Sequence, residues 1–222
     1  MTNQTPQPEE TVERTVRHAA GADPQKRQQI MAGAKRVFME CGFDAASVND
    51  ICHGAGISKS TLYVYFENKE ELFEAIIENE RDRLFEGVAD VLASESAPAD
   101  VLHQFGVTIA SIICSDSVVR AQRIIIGIAE RMPALGARFY SGGAMRAQTA
   151  LTGFLDRKVA MGELAIADTS LAAAQFIELS TVALWKPRLF GKAAAPPSPE
   201  QIDASVTSAV ALFVCAYAPK SA

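Results

Sequence analysis

The chain is poor in the residues from which catalytic and metal centres are usually assembled. It has three histidines, four cysteines and one tryptophan in 222 residues. His18, His53 and His103 stand far apart, and Cys41, Cys52, Cys114 and Cys215 show no metal-ligand spacing, so no metal site is expected. The four thiols read as buried small hydrophobes in a reducing cytoplasm. The opening residues lack the apolar core of a signal peptide. The longest apolar runs, such as 209–218, fall well short of the roughly 20 residues of a membrane-spanning helix, so no membrane association is expected. No G-x-S-x-G elbow and no H-E-x-x-H pair occurs. The stretch from Gly54 to Thr61 superficially resembles a phosphate-binding loop, but with Lys59 as its lysine the two required glycines fall on His53 and Ser58. Neither an enzyme nor a cofactor is therefore expected.

Positive charge is scarce too. The net charge of −5 argues against a generic polyanion binder, yet what matters is where the charge sits. Between residues 24 and 66, Lys26, Arg27, Lys35, Arg36 and Lys59 outnumber Glu40, Asp44 and Asp50. The acidic excess belongs to the rest of the chain. A content of 49% apolar residues leaves ample material for a core.

Residues 1–22 are rich in Thr, Gln, Pro and Glu without periodicity and read as a disordered tail. Arg14 and Arg17 in it suit either a solvated tail or an arm in a DNA minor groove. Asp23 and Pro24 then open a helix that carries Ile30, Ala34, Val37, Phe38 and Cys41 on one face and is closed by Gly42. Its cations, Lys26, Arg27, Lys35 and Arg36, lie off that stripe, to meet phosphates or to solvate a face.

From Ser47 to Phe66 the chain reads as two short helices around a tight turn. Ser47 and Asp50 form a capping box. Val48, Ile51, Cys52 and Ala55 share one face. Gly56 takes the left-handed turn that glycine adopts without strain, and Ser58 caps the second helix. With Leu62 and Phe66 turned inward, Ser60 and Val64 face out, flanked by Lys59, Thr61 and Tyr63. A free face of small, hydroxylated side chains with one cation suits the major groove of DNA.

Asn68 and Glu71 start a further helix, with Leu72, Phe73, Ile76, Ile77, Leu84, Val88 and Val91 marking one continuous rod of about 25 residues, or about 37 Å. Lys69 in its first turn opposes the helix dipole unless an anion such as a phosphate is near. After a break at 93–99, the remainder reads as helices over 98–114, 116–131, 133–140, 144–161, 168 to about 190 with a kink at Pro187, and 198–217. From Leu171 to Trp185 only Glu178 is charged, and from Ala204 to Ala218 no residue is. Helices so short of charge are covered on most sides, either as central core helices or by a second copy in a homodimer. The organisation is thus all-α: tail 1–22, a three-helix reading domain 23–67, and a larger helical domain 68–222 entered by the long helix.

The run Ala46-Ser47-Val48, Ile51, then Ala55 through Leu72, with Phe38, Gly42 and Phe43 before it, closely resembles the DNA-binding signature of TetR/AcrR-type transcriptional regulators over about 50 residues, roughly Gln25 to Phe73. The pieces Arg131-Met132-Pro133, Phe139-Tyr140, Gly162-Glu163-Leu164, Leu171-Ala172-Ala173 and Gln175-Phe176 are similar, more loosely, to the C-terminal domain of an AcrR-like branch. The resemblance implies an all-helical homodimer that binds DNA through its first three helices and holds a small-molecule pocket and the dimer interface in its larger C-terminal domain. With the charge-poor last two helices as the seam, the two-body layout leads to the expectation of a palindromic double-stranded DNA operator and a small-molecule effector. Repression is the usual sign, with activation as the alternative.

On the matching positions the resemblance makes Ser47 and Lys69 phosphate contacts, and Lys59, Ser60, Thr61, Tyr63 and Tyr65 recognition-helix contacts; Ser58 and Val64 complete the expected DNA-facing set. Ser60 stands where glycine or alanine is common, and Val64 is apolar where polar residues are common, which suits a thymine methyl. For an apolar or amphipathic effector the candidate pocket residues are Phe105, Ile109, Ile128, Met145, Phe154, Gln175, Glu178 and Trp185. Gly127, in a helix interior, marks either room for a ligand or close packing.

Overall fold

Eleven α-helices, with no strand among the described residues, form the computed structural model, which describes residues 21–219. The Arg14 and Arg17 arm, and all of the expected tail before Gly21, lie outside the described residues. The first three helices are α1 (Pro24–Ala45), α2 (Val48–Ala55) and α3 (Lys59–Tyr65). Asp23 caps α1 by accepting from the amides of Gln25 and Lys26. Gly42 does not close the helix but breaks it: at φ 81 and ψ 175 it departs from helical geometry, and the chain takes another turn to Ala45. That break swings Phe43 inward, where it stacks on Phe38 at 5.7 Å and meets the edge of Phe73 at 5.3 Å.

The expected single rod after residue 68 is two helices. α4 (Lys69–Leu84) has 16 residues, about 24 Å at 1.5 Å each. Gly87, at φ 82, then redirects the chain into α5 (Val88–Ala93). A left-handed residue ends a helix wherever it occurs, and glycine takes that conformation without strain. The redirection carries Val88 and Leu92 away from the first core and into the second.

The larger domain comprises α6 (Pro98–Ile113), α7 (Asp116–Ile128), α8 (Pro133–Gly142), α9 (Ala144–Ala160), α10 (Thr169–Leu189) and α11 (Pro199–Tyr217). Ser115 caps α7, with Asp116 in its first turn, and the helix ends at Ile128, three residues before the expected Arg131. Ser198 and Gln201 cap α11 reciprocally, and Pro187 falls in the last turn of α10.

Two large hydrophobic cores result, with a small third cluster of Ala110, Ile202 and Val206 between α6 and α11. The first gathers Ile30, Phe38, Ile51, Leu62, Phe66, Leu72 and Phe73, but also Ile125 and Ile128 of α7 and Leu135 of α8. The reading head is therefore not closed off at residue 67; it completes its core with residues of the larger domain. The second is built on Leu102, Phe105, Leu151, Phe154, Phe176 and Phe213. The cysteines divide: Cys52 and Cys114 are buried, while Cys41 and Cys215 are exposed, contrary to the expectation that all four are buried. Burial pushes the Cys114 thiol up to about 11.

Candidate functional site

The outward face of α3 is held from behind by local bonds. Ser47 accepts the Asp50 amide at 3.1 Å while Asp50 accepts the Ser47 amide at 3.1 Å and its hydroxyl at 2.5 Å. Those bonds from Ser47 hold the Asp50 carboxyl below its ordinary range. Gly56 turns the chain at φ 63. Ser58 then accepts the Thr61 amide at 3.1 Å, and its hydroxyl lies 2.8 Å from those of Ser60 and Thr61.

Two features of α1 fix α2 and were not read from the sequence. Gly33 lies so close to α2 that a Cβ there would fall 2.4 Å from the Ala55 Cα. Gln29 and Arg36 donate to the Ala55 and Gly54 carbonyls, each at 2.7 Å, and so satisfy the end of α2. The only available signal for Gly33 was a glycine inside a helical pattern. All four α1 cations have partners in the chain. Arg36 bonds Gly54, Lys35 pairs with Glu80, Lys26 donates to Gln29, and Arg27 reaches the Met31 sulfur and lies over the Phe66 ring.

Of the expected DNA-facing residues, Lys59, Ser60, Tyr63 and Val64 are exposed on one face, Tyr63 at 54% and Val64 at 51%. Ser47 and Ser58 are exposed but use their hydroxyls as caps. Thr61 is half-buried, and Tyr65, also half-buried, packs against the head's core. Lys69 is placed otherwise than a free phosphate contact would be. Its ammonium donates to the Phe43 and Ala46 carbonyls at 2.8 and 3.0 Å and sits 4.4 Å from the Phe43 ring centre. A cation at the start of one helix thus serves the C-terminal end of another, where helix carbonyls favour it.

Behind the head lies a cavity of about 510 Å³ lined by residues of α1, α4, α6, α7, α8, α9 and α10, within the usual size of small-molecule sites. Its wall is mostly aliphatic and aromatic: Ile76 and Ile77 of α4, Ile112 and Ile113 of α6, Ile125 and Ile126 of α7, and Phe139 and Tyr140 of α8. Polar order is sparse. The Trp185 indole donates to Gln122 at 2.7 Å, and Lys35 pairs with Glu80 at 2.5 Å across the junction of α1 and α4.

Of the eight candidate pocket residues, Ile109, Glu178 and Trp185 line this cavity. Phe105 and Phe154 are buried in the second core, and Ile128 belongs to the core of the head. Met145 and Gln175 are on the surface, where Gln175 accepts from the Tyr217 hydroxyl at 3.1 Å. Gly127 is exposed, with no atom within 4 Å of where a Cβ would stand, so it marks no close packing, and it does not line the cavity. The cavity residues were missed because seven separated segments build it. One signal was present: the four isoleucines of 124–128 are more than one buried helix face can absorb.

Outside the cavity, α10 and α11 expose Leu171, Leu179, Val182 and Leu212. Among the described residues there is no group of side chains able to hold a metal, and no single helix is long and apolar enough to cross a bilayer.

Two family models match the chain. Residues 30–76 match the family model described as bacterial regulatory proteins, tetR family, and residues 100–219 match the AefR-like transcriptional repressor, C-terminal domain. The HTH-type transcriptional activator FasR of Mycolicibacterium smegmatis is 37% identical over 68 residues, 31% of each chain, so the match spans less than a third of that relative's length. A TetR-family transcriptional regulator from Mesorhizobium loti superimposes with a TM-score of 0.80 over 87% of this chain and 97% of its own, at 23% identity, a likeness of fold. The flavonoid-responsive regulator FrrA does so with a TM-score of 0.74 over 90% and 100%, at 27% identity. With one family model on the reading head and another on more than half of the chain behind it, the protein belongs to the TetR family of bacterial transcriptional regulators.

Proposed function

We propose that the protein is a cytoplasmic repressor that binds a palindromic operator as a homodimer and is released by a small apolar or amphipathic effector. The observation that carries this reading is the shared wall: Lys35 and Met39 of α1, together with Ile76 to Phe85 of α4 and its cap, line the same cavity as α7 and α10. A molecule filling that space touches the elements that hold the head. It lowers DNA affinity to the extent that it prefers a conformer with the two heads wrongly spaced.

Lys59, Ser60, Thr61, Tyr63 and Val64 enter the major groove, with Ser47, Ser58, Tyr65 and Lys69 around them toward the backbone. The apolar outer faces of α10 and α11 pair with those of a second copy. The sign of regulation follows the larger domain: its family model is that of a repressor, whereas the activator FasR matches over 68 residues alone. FrrA is flavonoid-responsive, and a flat aromatic molecule of that kind suits a cavity faced by Phe139, Tyr140 and Trp185.

Binding to a labelled operator fragment tests the head. Tyr63→Ala, folded and dimeric, should weaken binding by about 5- to 150-fold, given that a good base contact is worth about 1–3 kcal/mol; unchanged affinity would show that α3 presents another face. Lys69→Met separates two roles for that side chain. Loss of a phosphate contact reduces the salt slope by about one, whereas loss of the bonds to Phe43 and Ala46 lowers the melting temperature. The bonds already made by its ammonium lead us to expect the second effect to dominate.

A further inference from the structure

Four charged side chains reach the cavity: Lys35, Glu80, Arg81 and Glu178. Three of them are accounted for. Lys35 and Glu80 neutralise each other, and Glu80 also meets Arg83 at 3.3 Å. Arg81 lies beside Asp82 at 3.4 Å and packs against Gly142 at the C-terminal end of α8, where helix carbonyls favour a cation. Glu178 differs. Among the described residues it takes part in no ion pair. It stands at the rim, exposed, in the middle of α10 and one turn from both Ala174 and Thr181, which also line the space. Neither polar neighbour on that wall supplies it with a donor. The Thr181 hydroxyl donates to the Ile177 carbonyl at 2.8 Å, and the Trp185 indole donates to Gln122.

An ionised carboxylate has acceptors only. At the exposed rim they face solvent. A molecule that fills the space displaces water from the cavity side of the carboxylate, and the acceptors on that side go without a partner unless the molecule itself brings a donor. An anionic headgroup would set a second negative charge beside the first. The geometry points to an effector that is apolar over most of its length and carries a hydrogen-bond-donating headgroup, a phenol, alcohol or ammonium, accepted by Glu178. The inference rests on the reading of this cavity as the effector site, and it adds a selection rule: a site built around an acceptor rejects analogues that lack the donor far more strongly than an apolar wall rejects an extra methylene.

Trp185 is the only tryptophan and lies two turns from Glu178 on the same helix, so its fluorescence reports binding without a label. The probes are 4-octylphenol, its methyl ether 4-octylanisole, and 4-octylbenzoate, which share a tail and differ in the headgroup. For the wild type, the phenol should bind at least about tenfold more tightly than the ether or the benzoate. In Glu178→Leu, checked for native helix content and melting, phenol and ether should come within about threefold of each other. Equal affinities for all three in the wild type, tightest binding of the benzoate, or an undiminished phenol preference in Glu178→Leu would overturn the inference while leaving the cavity as a binding site. If none of the three perturbs Trp185, the cavity reading fails and the inference falls with it.

Discussion

The reading head and the cavity behind it are built to opposite specifications. In the head, α2 and α3 have eight and seven residues, too few to persist alone, and close contacts hold them. Gly33 lets two backbones touch, Phe38, Phe43 and Phe73 interlock, and side chains of α1 finish α2. The larger domain has helices of up to 21 residues and tolerates a void of about 510 Å³ in their midst. The contrast separates two tasks. A surface that reads a fixed groove has to be held in one shape, whereas a sensor needs a place where filling changes the balance of shapes. Lys35 and Glu80 stand where the two regimes meet.

The contrast can be broken most severely at Gly33. Gly33→Val would drive a branched side chain into the α2 backbone; the head should lose its structure, and operator binding and the cooperative thermal transition should both be lost or sharply reduced. A matched pair sharpens the comparison. Ala34→Leu, in the sealed core of the head, should destabilise by about 1–3 kcal/mol in urea unfolding, the range for overpacking. The same change at Ala121, on the cavity wall, has room and should cost less than about 1 kcal/mol while abolishing the Trp185 response to ligands. Equal costs at the two sites would mean that the cavity closes in solution.

The smallest effect lies on the ion pair between Asp44 of α1 and Arg131 in the α7–α8 turn, at 2.6 Å. The hydrogen bond from Arg131 holds the Asp44 carboxyl below its ordinary 3.8. A depressed carboxylate contributes above its unfolded value and loses that contribution as pH falls through the lowered one. Asp44→Asn should therefore melt slightly below wild type at neutral pH, and the difference should vanish well below pH 3.8. Both groups are exposed, so the difference is small.

What the sequence made legible is what is settled within four residues. The caps at Asp23, Ser47, Ser58, Asn68, Asp168 and Ser198 all stand where their spacing places them, because a cap bonds to an amide two or three positions away. The outward face of α3 follows from Leu62 and Phe66 for the same reason. The illegible parts depend on distant partners. The Lys69 ammonium finds carbonyls 26 and 23 residues earlier, so its first-turn position suggested an anion that the fold does not require. Gly87 broke the rod because the apolar stripe, continuous in sequence, serves two different cores. Phe105, Ile128 and Phe154 have the chemistry of cavity residues but turn into packed interior, a choice made by the crossing of helices rather than by any one of them.

The seating of Ile125, Ile128 and Leu135 in the core of the head bears on how such proteins can be recombined. Exchange of the segment 23–67 for that of a relative would cut through packed aromatic and aliphatic side chains and leave the graft without its own counterparts of Leu72, Phe73, Ala75 and Ile76 of α4 as well as of Ile125, Ile128 and Leu135. The transferable module is discontinuous: the first three helices, the opening turns of α4, and the facing sides of α7 and α8. A hybrid regulator assembled on that boundary should keep the packing behind its reading surface, whereas one spliced at residue 67 should melt lower for want of matched partners across the core.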